Sequence, residues 1–131
     1  MKEPWILDTH TLLWALYEPE RLPEKVRVII EGETNHLLLS DVSVLEITTK
    51  AAQYRLPQAG FSVDRIVGRI LGLGVTTVAI HLEDIITSAK LPWHHADPLD
   101  RLLIAQAQRL DAVLLSKDSK LKLYDVLTFW D

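Results

Sequence analysis

Apolar residues in this chain gather into runs of two lengths. The short runs, at residues 5–7, 37–39, 75–80, 112–115 and 126–130, are too brief for helices. They are mostly continuous rather than alternating, or rich in β-branched residues, and predict strands. Longer segments at residues 9–17, 24–31, about 44–54, 63–73, 83–90 and 97–110 predict helices. The punctuation agrees. Asp8 or Thr9 caps the first helix, Pro19 and Pro23 bracket a turn, and Gly32 closes the second helix. Ser40, Asp41 and Ser43 are cap candidates for the third, Pro57 and Gly60 mark a loop, and Gly72 or Gly74 ends the fourth. Pro98 suits the first position of the last helix, where a missing N–H needs no partner. Residues 116–120 form a polar turn.

Buried strands alternating with helices imply a parallel sheet covered on both faces. The expected fold class is α/β, a three-layer α/β/α sandwich around a central, mainly parallel sheet of about five strands. At 131 residues, with no internal repeat or compositional break, the expectation is one domain spanning residues 1–131.

Composition narrows the function. Hydrophobic residues make up 48% and charged residues 24%, the balance of a globular chain. Absence of cysteine excludes disulfides and thiolate metal sites and fits a cytoplasmic protein. The first apolar run stops at Asp8, too soon for a signal core, and no run approaches a membrane span. A formal charge of −4 does not announce a nucleic-acid partner, which would need a local cationic rim.

Four carboxylates stand where strands give way to helices or loops: Asp8, Glu46, Asp100 and Asp118. Strand exits of a parallel sheet gather at one edge, where ligands bind. Converging there, the four would offer oxygen ligands to a hard divalent cation such as Mg²⁺. Each also has a plainer role. Asp8 can cap a helix, and a carboxylate has oxygens enough to cap and ligate together. Glu46 has Lys50 one turn on, although Val44, Leu45 and Ile47 point to burial. Asp97 reads as the cap before Pro98. Asp100 follows in the first turn of a helix apolar on almost every face from Leu102 to Ala105, where a carboxylate can be aimed at a cavity. Asp118 alone reads as a turn residue. His10, His94 and His95 lack zinc-site spacing and read as loop or interface residues, and the four tryptophans as core or interface aromatics. No nucleophile elbow, phosphate loop or dinucleotide turn is present.

Three segments together resemble PIN-domain ribonucleases, specifically the toxin halves of VapBC-type toxin–antitoxin pairs. They are Ile6-Leu7-Asp8-Thr9-His10-Thr11-Leu12-Leu13-Trp14, the stretch from Ser40 to Lys50 centred on Ser43-Val44-Leu45-Glu46-Ile47, and His95-Ala96-Asp97-Pro98-Leu99-Asp100-Arg101-Leu102-Leu103-Ile104-Ala105-Gln106-Ala107 with the strand leading to Asp118. The resemblance implies Asp8, Glu46, Asp100 and Asp118 as metal-holding catalytic acids. It also implies Mg²⁺ or Mn²⁺, an RNA substrate cut by a metal-activated water, a cognate antitoxin and a homodimer. Asp100 rather than Asp97 fits the family's third acid by its offset to Ala105 and Ala107. Thr9, Asp97 and Ser116 would support the acids from beside them, Ser116 standing where threonine is common. Lys50, Arg55, Arg101, Lys117 and Lys120 would supply the cationic rim. Rival readings are a PIN-type nuclease of RNA processing and, in another class, a phosphoacceptor signalling module. The latter wants an acidic pair at the first strand, where Asp8 stands alone, and an acid after a central strand, where Ile80-His81 stand. A third is a catalytically silent binding domain, against which all four acids argue.

Overall fold

The structure, a computed structural model, describes residues 4–54 and 62–131. The expected loop at Pro57 and Gly60, and Arg55, lie outside the described residues. In chain order the elements are β1 (Pro4–Leu7), α1 (Thr9–Tyr17), α2 (Glu24–Glu31), β2 (His36–Ser40), α3 (Asp41–Tyr54), α4 (Val63–Gly72), β3 (Thr76–Val78), α5 (Leu82–Lys90), α6 (Pro98–Leu110), β4 (Val113–Leu115) and β5 (Thr128–Phe129). Two 3₁₀ turns, Pro19–Arg21 and Ser119–Leu123, complete them.

The five strands form one wholly parallel sheet in the order β3-β2-β1-β4-β5. Strand residues alternate between its faces. Leu7, Leu37, Leu39 and Leu115 enter one core with Leu12 and Leu16 of α1, Val26 and Ile30 of α2, Ile47 of α3, and Ile66 and Ile70 of α4. Ile6, Leu38 and Leu114 enter the other with Leu103, Ile104 and Ala107 of α6 and with Leu121 and Tyr124. This is the three-layer α/β/α arrangement expected. A period-2 strand apolar on both faces needs a helical layer on each side to exclude water.

Helix starts follow the caps. Asp8 caps α1 by accepting from Thr11 N–H at 2.8 Å, and Asp97 caps α6 by accepting from Leu99 N–H at 2.9 Å. The Ser40 hydroxyl accepts from Val42 N–H at 3.1 Å where α3 begins. The outer strands are shorter than expected: β3 keeps three of the six residues at 75–80, and β5 two of the five at 126–130. Each pairs with one neighbour only, β3 with β2 and β5 with β4, where Leu114 N–H also reaches the Leu127 carbonyl just before β5. No helix among the described residues is long and apolar enough to cross a membrane.

One buried ion pair locks α5 to α6. Asp84 is 1% exposed, and its two oxygens take Arg109 Nε at 2.7 Å and Nη2 at 3.0 Å. It also accepts from His81 N–H at 2.9 Å, which caps α5. Burial pushes the Asp84 carboxyl up, but the Arg109 and His81 bonds outweigh it and hold it below its ordinary value. Its contribution to stability is therefore present above the ordinary carboxylate range and lost as pH falls through the depressed value. Arg109→Met strands a buried carboxylate and should cost about 3 kcal/mol in urea unfolding at pH 7. The deficit should shrink as Asp84 is protonated at acid pH, and Asp84→Asn in the Arg109→Met background should recover part of it.

Candidate active site

The sheet order sets the site. The chain moves from β1 outward through β2 to β3, then returns to build β4 and β5 on the other side of β1. β1 and β4 are thus neighbours whose following connections leave in opposite directions, which opens a crevice beyond their carboxyl ends. Asp8 is the first residue after β1 and Ser116 the first after β4.

Asp8 is 7% exposed, with a hydrogen bond to each of its oxygens. Its Oδ1 accepts from Thr11 N–H and lies 2.7 Å from the Thr11 hydroxyl, and its Oδ2 accepts a short bond from the Ser116 hydroxyl. Ser116 in turn accepts from Asp118 N–H at 3.1 Å, so one hydroxyl serves two of the four acids. Asp118 caps the following 3₁₀ turn through Lys120 N–H at 2.9 Å. Glu46, partly buried on α3, pairs with Lys50 at 3.2 Å. The Thr9 hydroxyl reaches Ser43 Oγ at 3.3 Å, tying the start of α1 to α3.

Asp8, Glu46, Asp100 and Asp118 all line one cavity of about 580 Å³, with Thr9, Asp97, Lys50, Lys117 and Lys120. Within it the tightest donor set among the described residues is His95, Asp100 and Asp118, with ligand atoms inside 4.8 Å of one another. Asp8 and Glu46 share the cavity but stand outside that set. Trp14 forms part of the wall, with Lys117 Nζ 5.6 Å from its ring.

His95 lies on a loop, as expected, but its ring enters the site, which its spacing did not suggest. Its Nε2 lies 3.0 Å from Asp100 Oδ2 and 2.9 Å from Asp118 Oδ2. The only signal in the sequence is its place two residues before Asp97, and that does not say which way the ring points. Arg101 needs the opposite correction. It is 2% exposed, with Nη1 against the carbonyls of Pro92 and His95 and Nη2 against those of Ser88 and Leu91, so it cannot serve the rim. Of the two readings for Trp93, core or interface, the core is excluded: the residue is 72% exposed, with its ring against the Arg101 guanidinium at 3.6 Å. Lys50, Lys117 and Lys120 do line the cavity.

Charge in the crevice is unbalanced. Burial, then the nearby charge of Asp97, pushes the Asp100 carboxyl up to about 6; His95 opposes this, while Asp8 and Asp118 add to it. The raised Asp100 carboxyl reflects negative charge crowded around it, an environment that suits a hard cation, and all four acids present oxygen donors. Asp100 and Asp118, with His95, bring donor atoms close enough to share a cation, and Asp8 and Glu46 line the same cavity.

The PIN domain family model matches residues 5–127. No curated protein sequence matches the chain significantly. Among solved structures, the chain is similar to one from the VapBC2 complex of Rickettsia felis bound to a promoter DNA fragment. The TM-score is 0.72 at 13% identity, over 98% of this chain and 99% of that one. It is also similar to a chain of VapBC-1 from nontypeable Haemophilus influenzae, with TM-score 0.67 and 17% identity over 96% of each. A third is VapC20 of Mycobacterium tuberculosis, a toxin that cleaves the sarcin–ricin loop. Its TM-score is 0.65 at 8% identity, over 97% of this chain and 99% of that one.

The raised Asp100 carboxyl has a measurable cost. Its pKa moves from the ordinary 3.8 to about 6, so the folded state holds this proton more tightly than the unfolded chain does. That stability is complete below 3.8 and lost as pH rises through about 6. At pH 7.5 in chelator, Asp100→Asn should therefore raise Tm by roughly 3–8 °C, allowing for partial solvent screening. The gain should vanish near pH 4, and Mg²⁺ should raise the Tm of the unsubstituted protein more than that of Asp100→Asn.

Proposed function

This chain belongs to the PIN domain family, and on that footing we propose that it is a metal-dependent endoribonuclease, the toxin of a type II toxin–antitoxin pair. The observation that supports this most is the meeting of Asp8, Glu46, Asp100 and Asp118, from four separate segments, in one crevice at the carboxyl edge of the sheet. Residues 1–131 act as a single nuclease domain. The toxin role draws on the structural likeness to chains of complexes named VapBC. The same likeness supports a cognate antitoxin partner, and the family resemblance adds a homodimer working in the cytoplasm.

The four acids hold Mg²⁺, for which Mn²⁺ can substitute. When bound, such a cation acidifies a water and offsets charge growing on the phosphate oxygens. The protein supplies the rest. Thr11 and Ser116 fix both oxygens of Asp8, so this carboxylate is set before substrate arrives. Lys50, Lys117 and Lys120 meet the RNA phosphates along the rim of the crevice. Lys50 also pairs with Glu46 through one carboxylate oxygen, Oε2, which leaves Oε1 for a cation. The attacking oxygen comes from water rather than from the ribose 2′-hydroxyl. Products carry 5′-phosphate and 3′-hydroxyl ends.

Purified protein incubated with total RNA and Mn²⁺ should yield discrete fragments with 5′-phosphate ends. Chelator should abolish them, and Asp8→Asn should reduce cutting on the order of 100-fold or more, since loss even of an outer partner of a metal site costs 10–100-fold. Equal cutting by Asp8→Asn, or 2′,3′-cyclic phosphate ends, contradicts the reading. With RNA binding measured in Ca²⁺, three phosphate-binding lysines should give a slope of log K on log salt of about −2. Replacing Lys117 and Lys120 together by Ala should bring the slope to about −0.7.

A further inference from the structure

We propose that His95 is a positioning residue: its Nε2–H bridges Asp100 and Asp118 and sets the distance and orientation of these two acids for the cation. The inference rests on the nuclease reading above and adds a residue to it.

The geometry assigns the proton. Asp97 N–H points at His95 Nδ1 at 3.1 Å, so Nδ1 presents a lone pair and the ring proton of the neutral imidazole sits on Nε2. That N–H faces Asp118 Oδ2 at 2.9 Å and Asp100 Oδ2 at 3.0 Å. Two carboxylates from distant segments, one on α6 and one before the Ser119–Leu123 turn, thus share a single donor. Each keeps further lone pairs free for an ion. A carboxylate that ligates a metal is itself usually held by a hydrogen bond, and Nε2 supplies that bond to both at once.

The ring is held from behind. His95 N–H donates to the Tyr124 hydroxyl at 2.8 Å, and Tyr124 donates onward to the Pro92 carbonyl at 2.8 Å. Arg101 gathers the carbonyls of Leu91, Pro92 and His95 around one buried guanidinium. The residue after Asp100 therefore shapes the loop that carries His95 back to Asp100. A loop tied by a buried cation and a buried phenol gives the imidazole little freedom, which a positioning residue requires.

The discriminating variants follow from which nitrogen acts. A glutamine amide reaches the Nε2 position, whereas an asparagine amide stops at Nδ1. Mn²⁺ binding to the full chain, followed by electron paramagnetic resonance, should weaken about tenfold or more in His95→Ala and His95→Asn, and recover to within about threefold in His95→Gln. Thermal unfolding in chelator identifies variants that retain the fold, and the Gln-against-Asn contrast is one that a purely packing role would not produce. In the metal-free protein, long-range ¹H–¹⁵N spectra should show His95 protonated at Nε2 and bare at Nδ1. Unchanged Mn²⁺ affinity in His95→Ala, equal behaviour of the Gln and Asn variants, or an Nδ1–H tautomer overturns the proposal. So does ¹⁴N coupling of His95 to bound Mn²⁺, which would make the ring a ligand. Failure of the unsubstituted protein to bind Mn²⁺ would instead sink the nuclease reading itself.

Discussion

Burial of Asp8 is the constraint from which the rest of the crevice follows. A carboxylate 7% exposed is tolerated only because every oxygen is bonded. The bonds come from Thr11, one turn into α1, and from Ser116 at the exit of β4. β4 lies beside β1 because the chain reverses its direction of travel across the sheet between β3 and β4. The same Ser116 hydroxyl accepts from the Asp118 amide, so the last acid takes its position from the first. Sheet order, helix cap and acid cluster are one arrangement rather than three.

The supports differ in kind around the crevice. Asp8 is fixed by hydroxyl and amide bonds in the interior. Among the described residues Glu46 is held by Lys50 on a helix surface, a contact worth a few tenths of a kcal/mol and easily exchanged. Asp100 sits between, with burial and the charges of Asp97, Asp8 and Asp118 against it and His95 in its favour. The site thus has a rigid side at the β1–β4 junction and a yielding side at α3.

Much of this was legible from residue order alone. Continuous apolar strands between capped helices give the parallel sheet, and the sheet gives the carboxyl edge where Asp8 and Asp118 meet. Asp97-Pro98 marks the start of α6 to the residue, because proline at the first turn and a capping aspartate before it have few other uses. What could not be read were side chains whose role depends on direction. His95 lies on a loop whose path is set by Arg101 and Tyr124, six and 29 residues away. Arg101 itself looks like any surface arginine beside an acid until its neighbours' carbonyls are placed around it. The Asp84–Arg109 pair is likewise silent in sequence, since it joins α5 to α6 at a separation of 25 residues.

The brevity of the outer strands carries a consequence of its own. β3 and β5, at three and two residues, are the margins of the sheet. A margin that short offers a stray chain only a few main-chain groups to pair with, too few to seed cross-strand polymerisation. A sheet so rich in leucine, isoleucine and valine would otherwise be a hazard at high concentration. Its trimmed borders let the molecule keep an aliphatic interior without inviting fibrils.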